Sequence, residues 1–416
     1  MPGSHRRHKR LLARVCAALA TTGLLAALLV GAAQAGPAED FYTPPSPLPA
    51  GANGDVIKSQ PSQYSNAKAT RIMYLSRDAK NKRIAVTGTV IVPDKAWAGP
   101  GPRPVVAYAP FTAGMGDQCA PSKTLAGESS GDIAATFQNT FVDSLLGKGF
   151  AVAQTDYEGL GTPGEHAYVM RLSEAHTVLD VLRAAQRLPG TGLPTDGPLG
   201  IMGYSEGGGG AASAAELASS YAPDLDIKGA YAGAAPADKA KLAKSLDGGL
   251  YVAFLGYALI GINTSYPESG IVENLANDKG KQLFEAARKT CTIGAVTSYM
   301  FTQSSTLTKD GRPVSAYLNQ APFDKIVAEN RIGQAKPSMP VLVEHALLDD
   351  AIPYENGKQL AKDWCAKGAS AEFRDLIAFT PVGAHAMGAL SASGNAANWL
   401  NDRFAGKPAT GNCGKF

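Results

Sequence analysis

The sequence predicts an α/β protein: a mostly parallel sheet covered by helices on both faces, with a helical cap subdomain inserted late in the chain. Three observations lead there. From about residue 105 onward, short apolar runs alternate with apolar residues at helical spacing. That alternation requires a parallel sheet, because parallel strands are joined by helical crossovers. Residues 236–337 then break the rhythm without a clean strand, although a crossover needs only about a dozen residues.

Each element follows in chain order. Arg6, Arg7, Lys9, Arg10 and Arg14 form a basic start, Val15 to Leu29 an apolar stretch, and Ala33-Gln34-Ala35 a small-x-small cleavage pattern. Residues 1–35 therefore read as a signal peptide for the general secretory route, and the mature protein as secreted, extracellular. The alternative, a membrane anchor, fits less well: the apolar run is short for a span, and Gly36-Pro37 follows at once. Gly36 to Pro61 is rich in Pro and Gly and reads as an arm without regular structure. Candidate strands are Val105 to Tyr108, Ala151 to Gln154, Leu199 to Met202, Ile227 to Ala232, Val341 to Val343 and Phe373 to Phe379. Ala175, Val178, Leu179, Leu182 and Ala185 recur at helical spacing, with Ser173 placed as N-cap. Tyr354 to Ala366 is a second helix, with Gly368 just past its end. The core thus comprises residues 36–235 and 338–416, and residues 236–337 form the cap. Within the cap, Leu250 to Ile262 is strongly apolar and carries Tyr251, Phe254 and Tyr257. It reads as the core of a helical cap whose apolar face meets an apolar substrate.

Composition narrows the function. The whole chain carries a formal charge of +3. Residues 1–35 hold five of the 39 basic side chains and none of the acidic ones, so the mature balance is −2. Nothing here suggests a nucleic-acid partner, and no second apolar run is long enough for a transmembrane segment in the mature chain. Cys119, Cys291, Cys365 and Cys413 remain after Cys16 leaves with the signal. An even count in an exported protein indicates two disulfides, with three pairings open. No cysteine pair has zinc-ligand spacing, so no metal is expected. Gly159-Leu160-Gly161-Thr162-Pro163-Gly164 fits a dinucleotide glycine pattern. It lacks the strand-end acid about 20 residues on, since Asp180 falls in a predicted helix. No cofactor is expected, and these glycines read as shaping a loop over the site.

Gly203-Tyr204-Ser205-Glu206-Gly207 follows the strand Leu199 to Met202 and leads into a small-residue stretch that starts a helix. Strand, sharp turn and helix together describe a nucleophile elbow, which lifts the serine hydroxyl above the sheet. Small residues two before and two after the serine avoid clashes in such a turn. The same five-residue pattern occurs at Gly127-Glu128-Ser129-Ser130-Gly131, but no apolar strand precedes that copy. Ser205 is the candidate nucleophile of an α/β-hydrolase. It needs a base. Four histidines remain in the mature chain: His166, His176, His345 and His385. The chain order of this fold is serine, acid, histidine, and only His385 leaves room for an acid after a strand and before it. Asp349 and Asp350 compete for that place; Asp349 is favoured, with Asp350 helix-proximal or solvated. One oxyanion donor is expected at the backbone N–H of Glu206, the other near Phe111 or Thr112.

These residues, together with Phe41-Tyr42-Thr43-Pro44-Pro45, Asp117-Gln118-Cys119-Ala120-Pro121-Ser122, Thr155 to Gly164 and Ala232 to Asp238, make the chain resemble the secretory lipases of actinomycetes and yeasts, the lipase A type. The resemblance runs over nearly the whole mature protein. It implies an α/β-hydrolase core with a helical cap, and hydrolysis of acylglycerols or simpler esters by Ser205, Asp349 and His385. It also implies the pairings Cys119–Cys291 and Cys365–Cys413. Phe111, Tyr204 and Phe254 are the expected substrate-binding residues, and the expected partner is a lipid or ester at a lipid–water interface. Two departures stand out: Pro110-Phe111-Thr112 where bacterial relatives carry His-Gly-Thr, and Glu206 where relatives carry Gln or Gly. Glu206 is expected to set a carboxylate beside the site and to disfavour acidic substrates. Two other readings stay open, a related secreted serine peptidase or acyltransferase and a non-catalytic lipid-binding relative.

Overall fold

Nine strands form one sheet in the order β1-β2-β3-β5-β4-β6-β7-β8-β9. The computed structural model describes residues 40–129 and 132–416; the expected signal peptide and its cleavage pattern lie outside them. Strands β4 (Val105–Ala109), β5 (Ala151–Thr155), β6 (Leu199–Tyr204), β7 (Ile227–Gly233), β8 (Val341–Ala346) and β9 (Ala371–Leu376) pair in parallel. Successive residues of a strand point to opposite faces, and the core follows that alternation. Val105, Ala107 and Ala109 pack on one side, with α3 (Arg171–Arg187), α4 (Glu206–Tyr221) and α11 (Tyr354–Ala366). Val106 and Tyr108 pack on the other, with α2 (Ile133–Leu146) and α12 (Ala384–Phe404). A strand buried on both faces has no polar side to show, which is why these runs were readable as short apolar segments.

Three elements depart from the sequence reading. An antiparallel front, β1 (Val56–Ser62), β2 (Ala67–Arg77) and β3 (Arg83–Pro93), precedes β4 and joins the sheet through β3 against β5. The expected arm therefore ends at residue 55. Pro61 is tolerated because β1 is the sheet edge, where one row of backbone groups faces no strand. Helix α3 starts at Arg171 with Met170 as N-cap, not at Ser173, whose hydroxyl instead donates to the Glu158 carboxylate. Strand β9 begins at Ala371 and stops at Leu376, leaving Phe379 81% exposed. Helix α11 spans Tyr354–Ala366, and Gly368 takes a φ of +74° just beyond it.

Between β7 and β8 the chain is helical: α5 (Lys239–Leu246), α6 (Ala253–Ser265), α7 (Ile271–Leu275), α8 (Asp278–Ala287), α9 (Thr292–Tyr299) and α10 (Phe323–Glu329). These helices share a hydrophobic cluster of their own, centred on Phe254, Tyr257, Ile260 and Phe284. Helix α6 is apolar around most of its circumference because it is covered on most sides. The disulfide Cys119–Cys291 links the segment after β4, just ahead of α1 (Pro121–Leu125), to the N-terminus of α9, and Cys365–Cys413 links α11 to the tail.

Candidate active site

The turn between β6 and α4 is the tightest feature of the sheet. Ser205 sits at φ 60°, ψ −124°, a region that a residue with a Cβ rarely enters. The backbone before and after it is packed against neighbouring strands. A Cβ on Gly203 would lie 1.9 Å from the Gly207 carbonyl oxygen, and one on Gly207 would lie 1.9 Å from the Ala109 carbonyl oxygen. The two glycines are thus required by close approach. The Ser205 N–H donates to the Gly233 carbonyl at 2.9 Å, which ties the turn to β7.

The loop after β8 and the first turn of α12 complete the site. His385 Nε2 lies 2.8 Å from Ser205 Oγ, and His385 Nδ1 lies 2.8 Å from Asp349 Oδ2 and 3.0 Å from Oδ1. Asp349 follows β8; its Oδ1 accepts from the backbone N–H groups of Ala351 and Ile352 at 3.0 and 2.8 Å. Burial alone would raise the Asp349 carboxyl, but the charge of His385 and hydrogen bonds from His345 and His385 hold it well below the usual carboxylate range. For His385 burial favours the neutral ring, yet the adjacent Asp349 charge and hydrogen bond, with Asp350 behind, raise its pKa above the ordinary value. The neighbouring carboxylates separate cleanly. Asp350 does not reach the imidazole ring; it accepts from the backbone N–H groups of Gly383 and His385 at 2.7 and 3.0 Å, at the start of α12.

The other three histidines are buried and otherwise engaged. His345 Nε2 donates to the Ile352 carbonyl at 2.9 Å and lies 3.4 Å from Asp349 Oδ2. His176 packs against Tyr221. His166 Nε2 lies 2.8 Å from Glu206 Oε1. The Glu206 carboxylate is therefore turned into the protein, 1% exposed, and does not stand beside the substrate as the sequence suggested. The reason is that the segment after β5 returns a hydrogen-bonding ring to it. The backbone N–H of Glu206, first residue of α4, has no partner within the helix.

A cavity of about 220 Å³ opens onto Ser205 and His385. Phe111, Tyr204 and Phe254, the expected substrate-binding residues, line it together with Thr112. The Tyr204 hydroxyl is already committed, donating to the His385 carbonyl at 2.7 Å. Thr112 is buried; its Oγ1 lies 2.7 Å from the Tyr168 hydroxyl and its carbonyl accepts from Thr292 Oγ1. Among the described residues nothing accepts from its N–H. Leu250 and Tyr251, from the apolar cap stretch, also line the cavity, and so do Phe137, Ile293 and Val296, which sequence reasoning missed. These three arrive from α2 and α9, and no local pattern marks them. Among the described residues no His, Cys, Asp and Glu group could hold a metal ion, and no helix is long and apolar enough to cross a membrane.

Comparison with known proteins agrees with this architecture. A profile of the secretory lipases matches residues 128–412. A Mycobacterium tuberculosis protein named a probable inactive lipase is 30% identical, over 90% of this chain and 84% of its own. A secreted triacylglycerol lipase of Malassezia restricta is 29% identical, over 89% of this chain and 80% of its own. The X-ray structure of Candida antarctica lipase A in its closed state superposes with a TM-score of 0.78 at 26% identity, covering 91% of this chain and 88% of that one.

Proposed function

The chain belongs to the secretory lipase family, and on that premise we propose that it is an exported serine hydrolase cleaving lipid esters, acylglycerols among them. The observation that carries the reading is the hydrogen-bonded line from Asp349 through His385 to Ser205 at the floor of an apolar cavity. Ser205 Oγ attacks the ester carbonyl carbon while His385 Nε2 takes the hydroxyl proton. Asp349 holds the Nδ1–H tautomer and stabilises the imidazolium. The oxyanion faces the Glu206 and Thr112 N–H groups. Collapse expels the alcohol, protonated by His385, and leaves an acyl-enzyme. Water then repeats the steps and releases the carboxylic acid.

Residues 36–235 and 338–416 act as the core and residues 236–337 as the cap, with Phe254 and Phe111 against the acyl chain. The rim supports a lipid surface as the natural encounter. The exposed large apolar side chains among the described residues are Ile293, Met300, Phe301, Leu347, Leu348, Ile377, Phe379, Val382 and Leu390. All fall in three segments, 293–301, 347–348 and 377–390, that adjoin cavity-wall or triad residues. Residues 290–308 and 376–401 contain no Asp, Glu, Lys or Arg. An apolar rim without charge suits a neutral ester phase, since attraction to anionic lipid needs basic side chains. Export rests on residues 1–35 and on relatives named as secreted.

The test is turnover of p-nitrophenyl esters across acyl lengths, with Ser205→Ala expected to lose about 10⁵-fold or more in kcat; undiminished activity in that variant would sink the assignment. The relative named probable inactive makes one alternative concrete, a lipid-binding protein without turnover. Folded protein that takes no fluorophosphonate label at Ser205 would favour it.

A further inference from the structure

The glycine-rich segment after β5 has no role in the chemistry above, yet it touches both walls of the proposed oxyanion site. Tyr157 Oη donates to the Pro110 carbonyl at 2.8 Å. The Tyr168 hydroxyl lies 2.7 Å from Thr112 Oγ1. His166 Nε2 lies 2.8 Å from Glu206 Oε1, and its ring stacks on Tyr157. Three hydrogen bonds from one loop thus reach the residue before the β4-side donor segment, the β4-side donor residue, and the residue whose N–H begins α4. We infer that Tyr168 and His166 are positioning residues that hold the Thr112 and Glu206 N–H groups where the oxyanion forms. The inference rests on the hydrolase reading above.

Stability does not explain the arrangement. His166 and Glu206 are 1% and 2% exposed, and a buried ionisable pair contributes little over apolar side chains of similar volume. The loop is also strained: Tyr157 and Val169 take φ values of +67° and +55°, at roughly 1–3 kcal/mol each. A Cβ on Gly159 would lie 2.1 Å from the Glu165 carbonyl oxygen, so the loop closes too tightly there for any other residue. Such strain persists where the surroundings over-determine a geometry, and here the over-determined atoms are the donors' own residues.

The protons specify the His166–Glu206 contact further. His166 Nδ1 lies 3.0 Å from the Glu158 carbonyl, which only accepts, so Nδ1 donates. Nε2 then faces a carboxyl group with one proton between the two, as imidazolium and carboxylate or as imidazole and carboxylic acid. A glutamine in place of Glu206 satisfies the same bond by donating its amide N–H to a neutral ring, whereas alanine removes the partner of His166 Nε2.

The test compares Tyr168→Phe, Glu206→Ala and Glu206→Gln with the wild-type chain. Tyr168→Phe and Glu206→Ala are expected to lower kcat about ten- to hundred-fold with KM little changed, and Glu206→Gln to recover most of the second loss. Affinity for n-butylboronic acid, which bonds Ser205 Oγ and forms a tetrahedral oxyanion, should fall in parallel, while affinity for a non-hydrolysable ether analogue holds. If Tyr168→Phe lowers only the melting temperature, or weakens boronate and ether alike, the positioning role is overturned. A wild-type chain inert toward esters and fluorophosphonate would overturn the hydrolase reading, and this inference with it. Because Tyr168→Phe removes one oxygen and keeps the ring, it remains informative even where Glu206→Ala does not fold.

Discussion

The two sides of Ser205 are built by different means. On the proposed base side, two side chains complete a hydrogen-bonded line to Ser205: Asp349 after β8 and His385 at the start of α12. On the proposed oxyanion side the groups are backbone N–H groups, and a strained loop, two tyrosines, a buried His–Glu pair and the Cys119–Cys291 bridge surround them. The difference teaches that side-chain chemistry can be placed by a loop alone, whereas a backbone donor is placed only by everything packed around it. On that reading the base side is expected to fail abruptly when a single group changes, and the oxyanion side by degrees.

The largest effect that tests this contrast is on the base side. Asp349→Asn is expected to lower kcat about 10⁴-fold, because the amide favours the wrong imidazole tautomer; steady-state kinetics against a short ester checks it. A loss of only ten-fold would make the base side as tolerant as the other. Next come the disulfides, which span 172 and 48 residues. Replacing both Cys119 and Cys291 with serine should destabilise by about 1 kcal/mol more than the same change at Cys365 and Cys413, if chain entropy governs. Only the first pair should also lower kcat, since Cys291 starts the helix whose Thr292 holds the Thr112 carbonyl. Denaturant melts paired with kinetics separate the two losses. The smallest effect belongs to Asp350→Asn. On the proposed mechanism the neutral ring is the base, so activity is expected to fall as the pH drops through the raised His385 pKa. Asp350 contributes to that rise, so its removal lowers the pKa and moves the acid limb of kcat/KM toward lower pH. A limb that stays in place or moves up would refute the sign.

The same contrast explains what could be read from the sequence. The parallel strands were legible because burial on both faces leaves runs such as Val105 to Tyr108 without polar residues. Tyr354–Ala366 was legible to its ends because Gly368 closes it. Ser205, Asp349 and His385 could be picked as candidates from the sequence because the first two follow the ends of β6 and β8 and the third comes after β9, at the start of α12, in an order the topology dictates. Strand β1 escaped because Val56–Ser62 lies at the end of a Pro/Gly-rich stretch, carries Pro61 itself and breaks register with β2 between Val56 and Lys58, although β2 follows after only a short turn. The start of α3 was misplaced because Ser173 suits an N-cap chemically, but Glu158 claims its hydroxyl. The partners of Glu206 and Thr112 could not be read at all. His166 and Tyr168 reach them only because Tyr157 and Val169 take backbone conformations that no local pattern announces.

The backbone of Ser205 has a wider consequence. Its φ of 60° is imposed between two glycines that cannot accept a Cβ, and a third glycine in the middle would relax it at once. The reactive residue is therefore also a place where the fold stays short of the stability open to it. Drift in a lineage released from the need for turnover would run toward that relaxation, so an inactive descendant is expected to be the sturdier protein. Retaining a serine in this posture is a standing demand on the rest of the molecule.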